Sequence, residues 1–235
     1  MAGFKTHIAT SSLLGAGYAA GAAVWCDFPL PTCALAGCLC GVAGMMPDLD
    51  SDSGVPLRES MAFAAAVVPL LLVDRLERFS VAPESMVLAG ALVYLFVRFG
   101  VTSVLKRYTV HRGMFHSLPA ALIAGELAFL LCNFGDLVLR FYLAGGVVMG
   151  YVSHLLLDEL YSLEWYRGRW RLKKSFGTAL KLWSTKSTWA NVSAYAKLAL
   201  LTFVSVNDPN WMQQLGPKAQ ELQRLADTVT TQVLK

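Results

Sequence analysis

Apolar positions in this chain fall in long, nearly unbroken runs. They do not follow the alternation of a half-buried strand or the three-and-four spacing of a soluble helix. A helix needs about 20 apolar residues to cross a bilayer. Runs near that length lie at about Thr6 to Trp25, Pro31 to Met46, Ser60 to Val73, Pro83 to Leu105, Ser117 to Phe134 and Leu139 to Leu160. The second is short, rich in Gly and Cys, and ends at Pro47; the third is marginal in length; Arg98 interrupts the fourth. Pro119 falls in the first turn of the fifth, where its missing N–H would be unpaired in any case. A seventh run, Ala190 to Val206, carries Lys197 and suits either a span or an interfacial helix.

Each run reads as a helix, because in lipid only helices and closed barrels satisfy their backbone groups, and no period-2 barrel pattern is present. The expected fold is all-α: a polytopic transmembrane bundle of about six to seven apolar helices. After it comes a polar tail in which Leu215, Leu222, Leu225, Val229 and Val233 share one helical face, a C-terminal amphipathic helix. The expected organisation is a bundle over 1–160, a basic, aromatic-rich interfacial segment over 161–189, a further membrane helix or interfacial segment over 190–206, and the tail over 207–235.

Composition agrees. Hydrophobic residues make up 55% and charged residues 15% of the 235, against about 45–50% and about 25% in soluble domains. The mean hydropathy of +0.49 excludes a disordered chain. Five cysteines are too few, and odd in number, for a disulfide scaffold. Cys26, Cys33, Cys38 and Cys40 gather at the second run and read as small residues packed between helices. The first run, with Lys5 before it and small residues from Ala19 to Ala23, also has the look of a secretory signal peptide.

A net charge of +4 does not suggest a nucleic-acid partner, and none is expected. Arg167, Arg169, Arg171, Lys173 and Lys174 crowd beside Trp165, Tyr166 and Trp170. Basic residues interleaved with aromatics next to an apolar run read as an anchor on anionic lipid, with a phosphate-bearing ligand as the competing reading.

If six runs span, one face receives Lys5, Arg58, Lys106, Arg107, Arg112 and the basic cluster, and the other only Arg75, Arg78 and Arg140. The positive-inside rule makes the first face cytoplasmic. All four histidines, His7, His111, His116 and His154, fall at that face, as do Asp48, Asp50, Asp52 and Asp158. His154 and Asp158 are four apart and share a helix face. Imidazole and carboxylate together suit Zn²⁺ or a similar metal. Capping and interfacial hydrogen bonding are the alternatives for any one of these residues. Deeper in the bundle, Arg98 lies about 12 Å above Lys106 and Glu126 about 15 Å past His116 at about 1.5 Å per residue, which predicts an Arg98–Glu126 pair.

These polar residues form a familiar series: His7, then Pro47-Asp48-Leu49-Asp50, then His111-Arg112-Gly113-x-x-His116-Ser117, then Gly150-Tyr151-x-Ser153-His154-x-x-x-Asp158. In order and spacing, over about residues 1–175, the series resembles the YdjM-like family. That family is described as bacterial, inner-membrane-associated, metal-dependent hydrolases, also called LexA-binding. The resemblance implies a multi-helix membrane protein with a metal-dependent hydrolase site. After Asp158 this chain departs from many members: Tyr161-Ser162-Leu163-Glu164-Trp165 and the basic cluster stand where they have a Thr-containing, Pro- and Gly-rich stretch. The departure bears on substrate rather than on the core site.

The expected function is a metal-dependent hydrolase at the cytoplasmic face of a bacterial inner membrane. Its candidate metal ligands are His7, Asp48, Asp50, His111, His116, His154 and Asp158, holding a divalent ion: zinc, or else manganese or iron. Asp50 is the candidate general base and Arg112 the candidate phosphate clamp. Ser117 reads as a helix N-cap. Membrane lipid is the expected partner and a phosphate ester or phospholipid the expected substrate class. The alternatives are a non-catalytic protein with a structural metal that docks a protein partner, and a transporter. A transporter would need polar residues continuing through the bilayer, and apart from Arg98 and Glu126 the runs are apolar inside.

Overall fold

The computed structural model describes residues 3–50, 54–104, 114–133, 136–166, 169–172, 177, 179–184 and 187–209. The elements are α1 (Phe4–Trp25), α2 (Leu30–Ala43), a 3-10 turn (Met46–Asp50), α3 (Val55–Leu71), α4 (Val73–Arg78), α5 (Pro83–Leu95) with a π-helical turn after it (Phe96–Val101), α6 (Leu118–Leu131), α7 (Leu137–Leu160), strands β1 (Leu163–Tyr166) and β2 (Arg169–Leu172), and α8 (Thr188–Val206). All seven predicted runs are helical. Prolines open α2, α3, α5 and α6, where a missing N–H is tolerated. Ser117 caps α6 as expected, its Oγ accepting from the Ala120 N–H; Asp136 and Ser187 do the same for α7 and α8.

Among the described residues, four segments are long and apolar enough to cross a membrane: Val55–Arg78, Pro83–Val104, Leu137–Leu160 and Thr188–Val206. The predicted third run is thereby lengthened at both ends. The seventh run has the length and composition of a span. Helices α2 and α6 are apolar but shorter.

Helices α1, α2 and α7 pack as the inner layer, and glycines let them approach. A Cβ on Gly15 would stand 2.4 Å from the Gly37 carbonyl oxygen, and one on Gly150 would stand 2.0 Å from that of Cys40. Such close backbone approach is how membrane helices associate, because lipid leaves no hydrophobic drive between them. The core over α7 comprises Ala43, Ala121, Ala124, Val147, Tyr151 and Leu155. Cys33 and Cys40 are buried within the bundle, in line with their reading as small packing residues, whereas Cys26 and Cys38 are exposed; Cys132 is buried as well. The outer helices are different. Helix α5 buries no residue and presents Val87, Leu88 and Leu92 outward. Helix α8 presents Trp189, Leu200 and Phe203.

One expectation needs correction. The Arg98–Glu126 pair does not form: Glu126 on α6 accepts from the Thr202 hydroxyl of α8 at 2.6 Å, and α5 packs on α3 rather than on α6. Equal depth along two helices does not make them neighbours. A buried ion pair, Arg140–Asp208, at 2.9 Å, ties α7 to the end of α8. Arg140 also donates to the Phe129 carbonyl and lies over the Phe129 ring. In the interfacial segment β1 and β2 pair antiparallel, with Leu163 opposite Leu172 and Trp165 opposite Trp170. Helix α1 packs within the bundle, with His7 and Ser11 buried. The amphipathic tail expected after residue 209 lies outside the described residues.

Candidate metal centre

Five of the predicted residues converge at one end of the inner layer. His7 comes from the second turn of α1, Asp48 from the 3-10 turn after α2, His116 from just before α6, and His154 and Asp158 from the last two turns of α7. His7 Nε2 lies 3.3 Å from Asp158 Oδ1, and His116 Nε2 lies 3.3 Å from Asp48 Oδ1. His154 Nε2 stands between the carboxylates, 3.6 Å from Asp48 Oδ1 and 3.7 Å from Asp158 Oδ2. The imidazoles of His7 and His154 stack with ring centroids 3.6 Å apart, and that of His116 meets His154 edge-on.

Neighbouring groups fix these side chains. His154 Nδ1 is 2.7 Å from the Gly44 carbonyl oxygen. A carbonyl can only accept, so Nδ1 carries the proton and donates it, and Nε2 faces the cluster with its lone pair free. Glycine at 44 leaves room for Ser11, whose side chain a Cβ there would meet. The Tyr151 hydroxyl donates to the Phe115 carbonyl at 2.5 Å, which holds the backbone immediately before His116. Tyr151 and Gly44 were not among the predicted residues. The Gly150-Tyr151 start of the last motif was the available signal for Tyr151; Gly44 had none, since its part is a carbonyl.

The donor set fits a divalent cation on three counts. Two ligands each about 2.1 Å from a tetrahedral ion stand about 3.4 Å apart. The nitrogen–oxygen separations here run from 3.3 to 3.8 Å. Secondly, His116 Nε2 and His154 Nε2 are buried and hydrogen-bonded to no described residue, which is costly unless something binds them. Thirdly, two carboxylates meet three imidazoles in a site where His7, His154 and Asp158 are almost fully buried, and buried anions need a counter-charge. The residues form two groups of possible ligands that share His154: His7, His154 and Asp158, and Asp48, His116 and His154.

Asp48 is the exposed edge of the cluster, its side chain 24% accessible against 2% for Asp158. Burial pushes its pKa up, but the adjacent imidazoles of His116 and His154, when they carry a second proton, outweigh this and hold the carboxyl well below the usual carboxylate range. Asp48 therefore stays ionised at neutral pH. Asp50 ends the same 3-10 turn, and its side chain lies outside the described residues. His111 and Arg112 also lie outside them.

A family model described as YdjM inner membrane protein matches residues 1–205. The chain belongs to the YdjM inner membrane protein family. The match covers α1 through most of α8 and so takes in every residue of the cluster, and it makes this a membrane protein. No curated protein and no solved structure matches the chain.

Proposed function

We propose that this member of the YdjM family is a metal-dependent hydrolase working at the cytoplasmic face of the inner membrane on a phosphate ester, with phospholipids the first class to try. The observation that carries the reading is the His/Asp cluster, with His154 Nδ1 donated to the Gly44 carbonyl so that its Nε2 is left to bind. A backbone carbonyl behind a ligating imidazole is the usual support of such a ligand. A divalent ion, with zinc the first choice and manganese or iron next, supplies Lewis acidity and a bound water acidified to near neutrality.

The chain's own residues then have distinct tasks. His7, His116, His154 and Asp158 hold the charge at the buried side. Asp48, ionised and partly accessible, sits on the side from which water and substrate reach the cluster. Asp48 is read as a ligand by its place beside His116 and His154, and Asp50, at the end of the same turn, as the residue to take the proton. Arg112, in the His-Arg-Gly motif, would receive the phosphate oxygens. The cytoplasmic placement is supported by the excess of Lys and Arg at the cluster's end of the helices.

The second reading is a structural metal that stabilises a platform for a protein partner, favoured by the near-complete burial of His7, His154 and Asp158. A structural site is closed, whereas a catalytic one keeps a position open, and the accessible edge at Asp48 supports the hydrolase. The test is turnover of phospholipids and soluble phosphate esters by the zinc-, manganese- or iron-loaded protein in detergent, beside Asp50→Asn. The hydrolase predicts release of a phosphate-containing or diacylglycerol product, reduced about a hundredfold or more by the variant at unchanged metal content, as expected on losing a general base. Absence of turnover on every ester with metal fully bound would leave the platform.

A further inference from the structure

A cavity of about 430 Å³ opens between the start of α3 and the π-helical turn after α5, lined by Val55, Leu57, Arg58, Arg98, Phe99 and Thr102. Its size falls in the range of small-molecule sites, about 300–1,000 Å³. It is not the His/Asp cluster, but it shares that end of the molecule. Leu57 packs with Leu49, the neighbour of Asp48, and Val101 of the π-turn joins the same apolar group.

The charges in this cavity are unbalanced. Two guanidiniums line it, and no carboxylate does among the described residues. The ion-pair partner of Arg58 is the adjacent, exposed Glu59 at 2.8 Å. Water screens such a pair, and it holds an arginine weakly. The guanidinium of Arg98 makes no ion pair or hydrogen bond with any described residue, although Arg98 belongs to a segment long and apolar enough to span. A charge at such a position is costly and calls for a partner.

The backbone at Arg98 is unusual as well. The π-turn widens the helix at Phe96–Val101, a distortion often found at functional sites. The Thr102 and Ser103 hydroxyls donate to the Arg98 and Phe99 carbonyls, at 2.7 and 2.6 Å. One wall of the cavity, Phe99, is largely exposed and continues into the outward apolar surface of Leu92 and Phe96. A ligand suited to this place has an anionic head for two arginines and an apolar tail for a lipid-facing surface.

We propose that the cavity between α3 and the π-turn binds the phosphate headgroup of an anionic membrane lipid, clamped by Arg58 and Arg98, with its acyl chain along Phe99. The cavity would present that lipid beside the metal cluster; this substrate role, unlike the binding itself, rests on the hydrolase reading.

The test is titration of the full chain in detergent with dioctanoyl phosphatidic acid, dioctanoylglycerol and inorganic phosphate, followed by native mass spectrometry, with metal content measured on every sample. Phosphatidic acid should bind, with dioctanoylglycerol and inorganic phosphate each at least about tenfold weaker. Arg58→Gln and Arg98→Gln should each weaken phosphatidic acid about tenfold, the loss expected for one charged hydrogen-bonding partner. Arg98→Lys should recover part of that loss, which a merely misfolded bundle would not. Unchanged phosphatidic acid binding in the double Arg58→Gln/Arg98→Gln protein would overturn the proposal. So would inorganic phosphate binding as tightly as the lipid, which would make the cavity a site for free phosphate. If the arginines govern lipid binding in a chain that takes up no metal, the hydrolase reading fails and the lipid site stands; metal uptake with indifferent arginines is the reverse.

Discussion

The inner helices α1, α2 and α7 and the outer helices α5 and α8 are all apolar, but they use their side chains in opposite ways. The inner three bury small residues: Gly15 against Gly37, Gly150 against Cys40, Ser11 against Gly44. Close backbones bring polar groups from separate helices within reach of one another, and the imidazoles and carboxylates meet there. The outer two bury almost nothing and turn Leu88, Leu92, Leu200 and Phe203 away from the bundle. Hydrophobicity alone does not distinguish the two sets. Residue size does, since lipid rewards close packing between helices rather than apolarity.

Substitutions should separate the two layers. The largest effect is expected at Arg140, 1% exposed on α7. Arg140→Met leaves the Asp208 carboxylate without its bidentate partner, and breaking a buried pair costs about 3–5 kcal/mol. A melt in detergent followed by circular dichroism should show the loss. A melt unchanged from wild type would mean that this clasp contributes little. Metal removal comes next. A ligand at a hundred times its dissociation constant stabilises the folded state by about 2.7 kcal/mol, so a chelator should lower the melting temperature of metal-loaded wild type and leave His154→Ala unmoved.

Gly150→Ala is a smaller insult, one methyl group, but it would lie 2.0 Å from a carbonyl oxygen. Overpacking of this kind costs about 1–3 kcal/mol, and it should also pull His154 off Gly44 and lower metal retention. The smallest effect should come from the outer layer. Leu92→Ala on α5 should change stability by no more than about 0.5 kcal/mol, as at other exposed positions. If Leu92→Ala cost as much as Gly150→Ala, the division into packed and lipid-facing layers would be wrong.

Much of this was legible in the sequence, for a physical reason. A spanning helix must be apolar along its whole length, so the runs mark the helices within a few residues. The ionisable residues in and beside those runs are conspicuous, and five of them meet at the cluster. Lateral neighbourhood was not legible: Arg98 and Glu126, placed at similar depth by counting along their runs, lie on helices that do not pack together. Hydropathy carries one coordinate, along the helix, and the order of helices around the bundle is set by shape. The hairpin was hidden because Arg167 to Lys174 read as a charge cluster, although its strands flank the two residues Arg167 and Gly168, a hairpin spacing. The Gly44 carbonyl that orients His154 was beyond reach, since every residue carries one.

The central claim is that the converging imidazoles and carboxylates bind a metal ion. Its most direct test is elemental analysis of the detergent-purified protein, wild type beside His154→Ala, both shown to be folded. The account predicts a metal at a fixed stoichiometry in the wild type and its loss in the variant. A folded wild type that takes up none after reconstitution with Zn²⁺, Mn²⁺ or Fe²⁺ would contradict it, and the cluster would then be a proton-handling or interface site.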